Sequence, residues 1–66
     1  MKAKYDSDVD VLRINWGNAE IEESDMISEG VILDYDKNGN VIGIEILNAS
    51  KKIKNFKSKS EILSQV

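Results

Sequence analysis

The sequence predicts a small α+β domain, an antiparallel β-meander of four to five strands with a C-terminal helix covering one face. Three observations predict it. Short runs of alternating apolar and polar residues are separated by turn residues, which is typical of half-buried strands. An Asn-Gly step lies between two such runs and is a strong hairpin signal. After residue 48, apolar residues recur at helical spacing among lysines and serines.

The first predicted element is a strand at the N-terminus. Met1, Ala3 and Tyr5 are separated by lysines, so the three side chains share one face of a strand. Aspartates favour turns because they hydrogen-bond nearby backbone amides, and residues 6–10 contain three of them. We therefore expect the chain to turn there and pair the first strand with residues 11–16.

The second predicted element is a hairpin formed by residues 11–16 and 19–22. Gly17-Asn18 suits a two-residue type II′ turn. This register places Arg13 opposite Glu22, and Ile14 opposite Ile21 on the apolar face. Residues 25–29 then form the connection to the next hairpin.

The third predicted element is a hairpin around Asn38-Gly39. A two-residue type I′ turn there makes paired positions sum to 77. A slip of one residue would scatter the apolar side chains over both faces, so the register is specified. The predicted pairs are Val31 with Ile46, Leu33 with Ile44 and Tyr35 with Ile42 on the apolar face, and Asp34 with Gly43 and Ile32 with Glu45 on the polar face.

A helix is predicted to follow. Asn48 is a favourable N-cap for a helix that opens at Ala49, and Ile53, Phe56 and Leu63 recur near the helical period. We expect this helix to cover the apolar face. Residues 1–54 form a single small α+β domain in this prediction, and residues 55–66 form a basic C-terminal helix extension or a partly disordered tail.

Composition excludes several function classes. Residues 1–48 carry 4 basic and 11 acidic side chains, whereas residues 49–66 carry 5 lysines and one glutamate. Because nucleic-acid binding depends on neutralising phosphates, the acidic body argues against that function. The chain has no histidine or cysteine, and no apolar run approaches the ~20 residues of a membrane span. We expect a cytoplasmic protein with no membrane contact.

A calcium-loop pattern runs through the third hairpin. Asp34, Asp36, Asn38, Gly39 and Glu45 match the spacing of an EF-hand loop, in which oxygens wrap one ion between two helices. Here the segments before and after the turn are predicted to be strands, not helices. The carboxylates would then lie along a sheet face and could not wrap a cation. These carboxylates could still attract a cation loosely. Weak calcium or divalent-cation binding by Asp34, Asp36 and Glu45 is therefore one of two candidate functions, and a protein-interaction function is the other.

Catalysis is not expected. An enzyme would need a nucleophile and a base, or paired carboxylates in a pocket. A flat, solvated sheet face lacks the desolvation that shifts a carboxylate pKa. We expect no enzyme activity and no cofactor, and an unknown protein partner or a second copy of this chain as the ligand. The candidate partner-binding residues are Lys51, Lys52, Lys54 and Ile32.

Two blocks of residues resemble a known family. Tyr5-Asp6 with Asp10, Leu12 and Ile14 is followed by residues 29–36, residues 39–47 and Ala49-Ser50-Lys51 in the family's order. The chain resembles the short prokaryotic proteins catalogued as domain of unknown function 2283, which often have Asp where Asn48 stands. The resemblance implies no assigned activity and no catalytic residues. Some relatives are encoded beside small toxin-like proteins, which implies an antitoxin-like partner of a small toxin. The predicted function is a non-catalytic protein-interaction module.

Overall fold

A computed structural model describes residues 1–56 and shows one five-stranded sheet followed by one turn of helix. All neighbouring strands are antiparallel, and their order across the sheet is β1-β2-β5-β4-β3. This confirms an antiparallel α+β domain. The elements are β1 (Lys2–Asp6), β2 (Val11–Asn15), β3 (Glu23–Ser28), β4 (Val31–Tyr35), β5 (Val41–Leu47) and α1 (Ala49–Lys52).

The prediction for residues 11–22 was wrong. β2 pairs with β1 on one side and β5 on the other, so Arg13 lies opposite Glu45, not Glu22, and Ile14 lies opposite Ile44. Residues 23–28, which overlap the predicted connection, form the strand β3. β5 brings several large aliphatic side chains to β2, whereas residues 19–22 bring only Ala19 and Ile21. Greater apolar burial therefore favours the distant strand over the local hairpin.

The hairpin of β4 and β5 has the predicted register in its body and a different turn. The pairs of residues 31–34 with Ile46, Glu45, Ile44 and Gly43 are confirmed, but Tyr35 lies opposite Val41 rather than Ile42. The Asp36 N–H donates to the Asn40 carbonyl, which leaves a three-residue loop at residues 37–39. Gly39 has φ +82°, the left-handed conformation that such a loop requires. The longer loop shifts the pairing by one position.

The Asp36 side chain explains the longer loop. Its Oδ1 accepts the backbone N–H groups of Asn38 and Asn40, both at 2.9 Å. These bonds also lower the pKa of Asp36, those to Asn40 most, because they stabilise the ionised carboxylate. An aspartate that caps its own turn therefore decides the turn type.

The pairing gives the sheet an apolar face and a polar face. Of the buried apolar side chains, Leu12 lies on the apolar face, whereas Val11 precedes it on the opposite side. The apolar face consists of two rows that cross all five strands: Ala3, Ile14, Ile44, Leu33 and Asp25, and Tyr5, Leu12, Ile46, Val31 and Ser28.

Helix α1 begins where predicted but by a different mechanism. Asn48 occupies the N-cap position, as predicted, and its carbonyl accepts the Lys52 N–H, but it has φ 53° and its side chain makes no capping hydrogen bond. Instead, Asp10 accepts the Ala49 N–H at its carbonyl (3.0 Å), the Ser50 N–H at Oδ1 (3.0 Å) and the Ser50 hydroxyl at Oδ2 (2.7 Å). The Tyr5 hydroxyl also donates to Asp10 Oδ1, at 2.7 Å. A residue of the first turn thus ties the helix to the sheet.

The helix is too short to cover a sheet face, since α1 spans 4 residues. The chain then reaches Phe56, whose ring packs edge-on against Tyr5 with the centroids 4.9 Å apart. Phe56 therefore contacts the apolar face at Tyr5. The predicted extension over residues 55–66 lies outside the described residues beyond Phe56.

Candidate binding surface

The polar face brings together charged residues that are far apart in the sequence. Positions directly opposite each other on an antiparallel sheet share a face, so the register alone aligns them. One row crosses the sheet as Lys4, Arg13, Glu45, Ile32 and Met26, and the next row as Lys2, Asn15, Gly43, Asp34 and Ser24.

Asp34 is the buried acid of this face. Only 3% of its surface is exposed, although it lies on a strand face with charged neighbours. It has room because Gly43 opposite carries no side chain: a Cβ there would lie 3.1 Å from Asp34 Oδ2. The Ser24 hydroxyl donates to Asp34 Oδ1 at 2.6 Å. The carboxyl group is therefore enclosed between β3 and β5.

Glu45 lies beside Asp34 and its pKa is raised. Burial is the largest cause, followed by a hydrogen bond to Asp34 and the negative charge of Asp34. Arg13 opposes the shift, with its Nε 3.5 Å from Glu45 Oε1. The expectation that this face is fully solvated was therefore wrong for these two carboxyl groups. The reason is that Gly43 has no side chain, so the side chains of Asp34 and Glu45 can lie close to the sheet backbone.

The three candidate metal ligands do not converge. Asp34 and Glu45 share the polar face, whereas Asp36 directs its carboxylate at the amides of its own turn. The Asn40 side-chain amide donates to the remaining oxygen of Asp36 at 3.2 Å. Within residues 1–56, no three acidic side chains form a group that could hold a metal ion.

β3 forms one edge of the sheet and is the most exposed strand. All six of its residues are exposed, and Met26 and Ile27 each expose 54% of their surface. The pairing with β4 is regular from Glu23 to Met26 and shifts between Met26 and Ser28. We call the outer side of residues 23–28 the β3 edge. Its backbone polar groups have no neighbouring strand in the part of the chain that the structure describes.

A cleft lies beside the β3 edge, between this strand and the turn that joins β4 to β5. Its volume is about 510 Å³, and four of its eight lining residues are acids: Glu22, Glu23, Asp25 and Asp36. The other four are Ser24, Tyr35, Lys37 and Gly39, so the four acids outnumber the single basic residue. We call this the acidic cleft. Because acids outnumber the one lysine in a cleft that also contains Tyr35, the cleft favours cationic groups with an aliphatic portion.

The predicted partner-binding residues lie elsewhere. Lys51 and Lys52 belong to α1, and Lys54 follows it, all three exposed. The Lys52 side chain lies over Gly30, where a Cβ would be 2.5 Å from its Cε. Ile32 is half-buried on the polar face between Glu45 and Met26. None of these residues lines the acidic cleft.

Sequence reasoning missed β3, although a signal was present. Glu23 and Asp25 alternate with Ser24 and Met26, which is the period of a strand. The pattern does not indicate a half-buried strand, because neither of its faces is apolar. A strand at a sheet edge does not need an apolar face, since it buries so little surface.

No helix in the described part of the chain has the length and apolar character needed to cross a membrane.

Comparison with known proteins identifies the family. The family model described as "Protein of unknown function (DUF2283)" matches residues 2–50. The chain is also 39% identical over 51 residues to uncharacterized protein MJ0789 of Methanocaldococcus jannaschii. That alignment covers 77% of this chain and 43% of the relative, so the chain spans less than half of the relative's length. No solved structure matches. Since the family model covers all five strands and the start of α1, the chain belongs to the family of proteins of unknown function DUF2283.

Proposed function

We propose that this protein is a non-catalytic protein-interaction module and that its binding surface is the β3 edge with the acidic cleft. One observation carries the proposal: β3 is a complete strand of six residues, all exposed, at the end of a sheet. Exposed edge strands pair readily with other chains, and binding domains use this property to add a strand from a partner.

Apolar side chains at the same place support the proposal. Met26 and Ile27 on β3 and Ile21 just before it are each about half exposed. Single exposed aliphatic residues are common on protein surfaces, but a partner strand that pairs with residues 23–26 of β3 would cover Met26 and end beside Ile27. The energetic gain from burying them would add to that of the backbone hydrogen bonds.

The carboxyl pair supports a structural role better than a catalytic one. Asp34 is enclosed and bound by Ser24, and Glu45 is paired with Arg13. The acidic cleft is lined by other residues, so the carboxyl group with the raised pKa does not face it. A general acid needs a reactant within hydrogen-bonding reach.

The test is affinity capture of a partner with the tagged full chain, from cells of the organism that encodes it. We expect one near-stoichiometric protein. The double substitution Met26→Ser and Ile27→Ser should abolish its capture. The matched control is Val9→Ser, which removes an aliphatic side chain that is 59% exposed in the β1–β2 turn. A partner that survives the β3 substitutions, or no partner above background, would contradict the proposal.

The antitoxin-like role is the narrower form of this proposal. Its support is the gene neighbourhood of some relatives, as implied by the family resemblance. Expression of the captured partner alone should then arrest growth, and co-expression with this chain should restore it. Growth unaffected by the partner alone would exclude the antitoxin role and leave the interaction function in place.

A further inference from the structure

The β3 edge presents a regular row of backbone groups over residues 23–26. Alternate N–H and C=O groups of an edge strand point away from the sheet, at the spacing that another strand requires. The irregularity between Met26 and Ser28 interrupts this row. A partner strand therefore finds about four residues to pair with before the edge bends away.

The charge along this edge has one sign. Residues 14–36 contain seven acidic side chains and no lysine or arginine, and five of the acids lie in residues 20–29. Glu23 and Asp25 are two positions apart on β3, so both side chains stand on the apolar-face side, beside the acidic cleft. Ser24 and Met26 stand on the opposite side.

Resting on the interaction function proposed above, we propose that the β3 edge accepts a basic extended segment of a different protein as a sixth strand of the sheet. Lysine or arginine at two positions of that segment, two residues apart, would lie opposite Glu23 and Asp25. An aliphatic residue on the other side would cover Met26. Opposite charges directly across two strands stabilise the pair, whereas an acidic segment would be repelled.

Within the described residues 1–56, neither sheet edge of a second copy fits the same edge. Two β3 edges would bring two rows of acids together. The opposite edge, β1, carries Lys2 and Lys4, but β1 and β3 run in the same direction in the sheet. Pairing β1 of one copy with β3 of another would therefore be parallel, or would place the apolar face of one sheet beside the polar face of the next.

The test uses the isotopically labelled full chain and a short synthetic peptide of alternating lysine and valine. We expect the peptide to shift backbone amide signals of β3 and β4 and to protect β3 amides from hydrogen exchange. A peptide with the same sequence but an N-methyl group on every backbone amide keeps its charge and has no N–H group to donate in strand pairing. It should bind at least about tenfold more weakly, because backbone hydrogen bonds are lost.

Charge reversal on the protein completes the test. Glu23→Lys with Asp25→Lys should abolish binding of the lysine peptide, whereas Asp8→Lys, a charge reversal in the exposed β1–β2 turn, should retain it. Equal binding of the two peptides would reduce the effect to charge attraction and overturn strand addition.

Two further outcomes separate this inference from the proposed function. Self-association of the full chain that is lost with the β3 charge reversals would overturn the choice of a different protein as occupant. Capture of a natural partner at β3, without any binding of the lysine peptide, would refute the basic strand and leave the interaction function intact.

Discussion

Glu45 holds its proton more tightly than an ordinary glutamate because its surroundings disfavour its charge. Burial against the sheet removes water from the carboxylate, and Asp34 adds a hydrogen bond and a like charge. Arg13 compensates only in part, since its side chain is half exposed and the two groups are 3.5 Å apart. The consequence is a pH-dependent contribution of Glu45 to stability.

The sign of that contribution follows from the raised pKa. The stability that protonated Glu45 contributes is fully present at pH values below the usual glutamate pKa of 4.5. It is lost as the pH rises through the higher pKa that Glu45 has in the folded state. We predict that Glu45→Gln, which mimics the protonated form, becomes more stable relative to the parent protein as the pH rises towards neutrality. The gain should stay below about 1 kcal/mol, because solvent screens the partly exposed pair.

Urea unfolding at acidic and neutral pH measures this difference. Glu29→Gln, at an exposed turn position, is the control and should show no such trend. The same pH dependence in both variants would assign the effect to net charge rather than to the site of Glu45.

Gly43 makes the carboxyl pair possible. A Cβ there would lie 3.0 Å from the Ile14 carbonyl and 3.1 Å from Asp34 Oδ2. We predict that Gly43→Ala destabilises the fold by roughly 1–3 kcal/mol, the usual cost of overfilling a packed site. Gly17→Ala is the matched control, since its nearest atoms are 3.8 Å away. Equal free energies of unfolding for the two variants would contradict the tight contact at Gly43.

At the scale of elements, α1 depends on a residue from the other end of the chain. One turn of helix is too short to be stable alone, because helix nucleation is costly. The Asp10 carboxylate accepts hydrogen bonds from both Ser50 and Tyr5. It therefore joins α1 to the hairpin of β1 and β2. These bonds lower the pKa of Asp10, with the Ser50 hydroxyl as the largest cause, and the bond from Tyr5 raises the pKa of Tyr5.

We predict that Asp10→Asn lowers the melting temperature near neutral pH. Asparagine tolerates the left-handed backbone at this position, where φ is 57°, but it cannot accept at both oxygens. Because the pKa of Asp10 is lowered, its stabilisation is present at pH values above the usual aspartate pKa of 3.8. It is lost as the pH falls through the lower pKa that Asp10 has in the folded state.

The difference between Asp10→Asn and the parent protein should therefore shrink in strong acid. Asp8→Asn, in the same turn, is the control and should melt like the parent. A loss of stability for Asp10→Asn that persists unchanged in acid would show that the charge of Asp10 is not its cause.

The elements also differ in how far local residues determine them. The register of β4 and β5 was predictable because an alternating pattern and a glycine turn lie within one short segment. Its turn was predicted one residue too short, since Asp36 was counted as a strand residue and not as a turn cap. The pairing of β2 was not predictable in this way, because its partner β5 follows about 30 residues later.

At the scale of the whole molecule, the acidic side chains of residues 1–56 are spread over the sheet and form no group that could hold a metal ion. Residues 1–48 carry 11 acids, but the acids of the calcium-loop pattern are divided between the polar face and the hairpin turn. Calcium binding requires six to eight oxygens around one ion. The charge therefore attracts cations diffusely, which salt screens.

We predict that calcium produces no saturable shift of the Gly39 and Glu45 amide signals. The measurement is an amide-resolved titration of the full chain, compared with sodium chloride at matched ionic strength. A saturable change confined to the β4–β5 hairpin would instead establish the calcium-binding alternative.

By itself the sequence determined which residues form most of the strands, which faces they share, and the register of β4 with β5. Turn residues and alternation act over a few positions, so one chain segment contains all the information they need. Only the tertiary structure decided that β2 pairs with β5, that Asp10 binds the start of α1, and that Asp34 is buried over Gly43. Each of these depends on residues that are distant in the chain and meet only after the sheet has formed. The exposed β3 edge is also a product of strand order, because a strand becomes an edge through what its neighbours pair with.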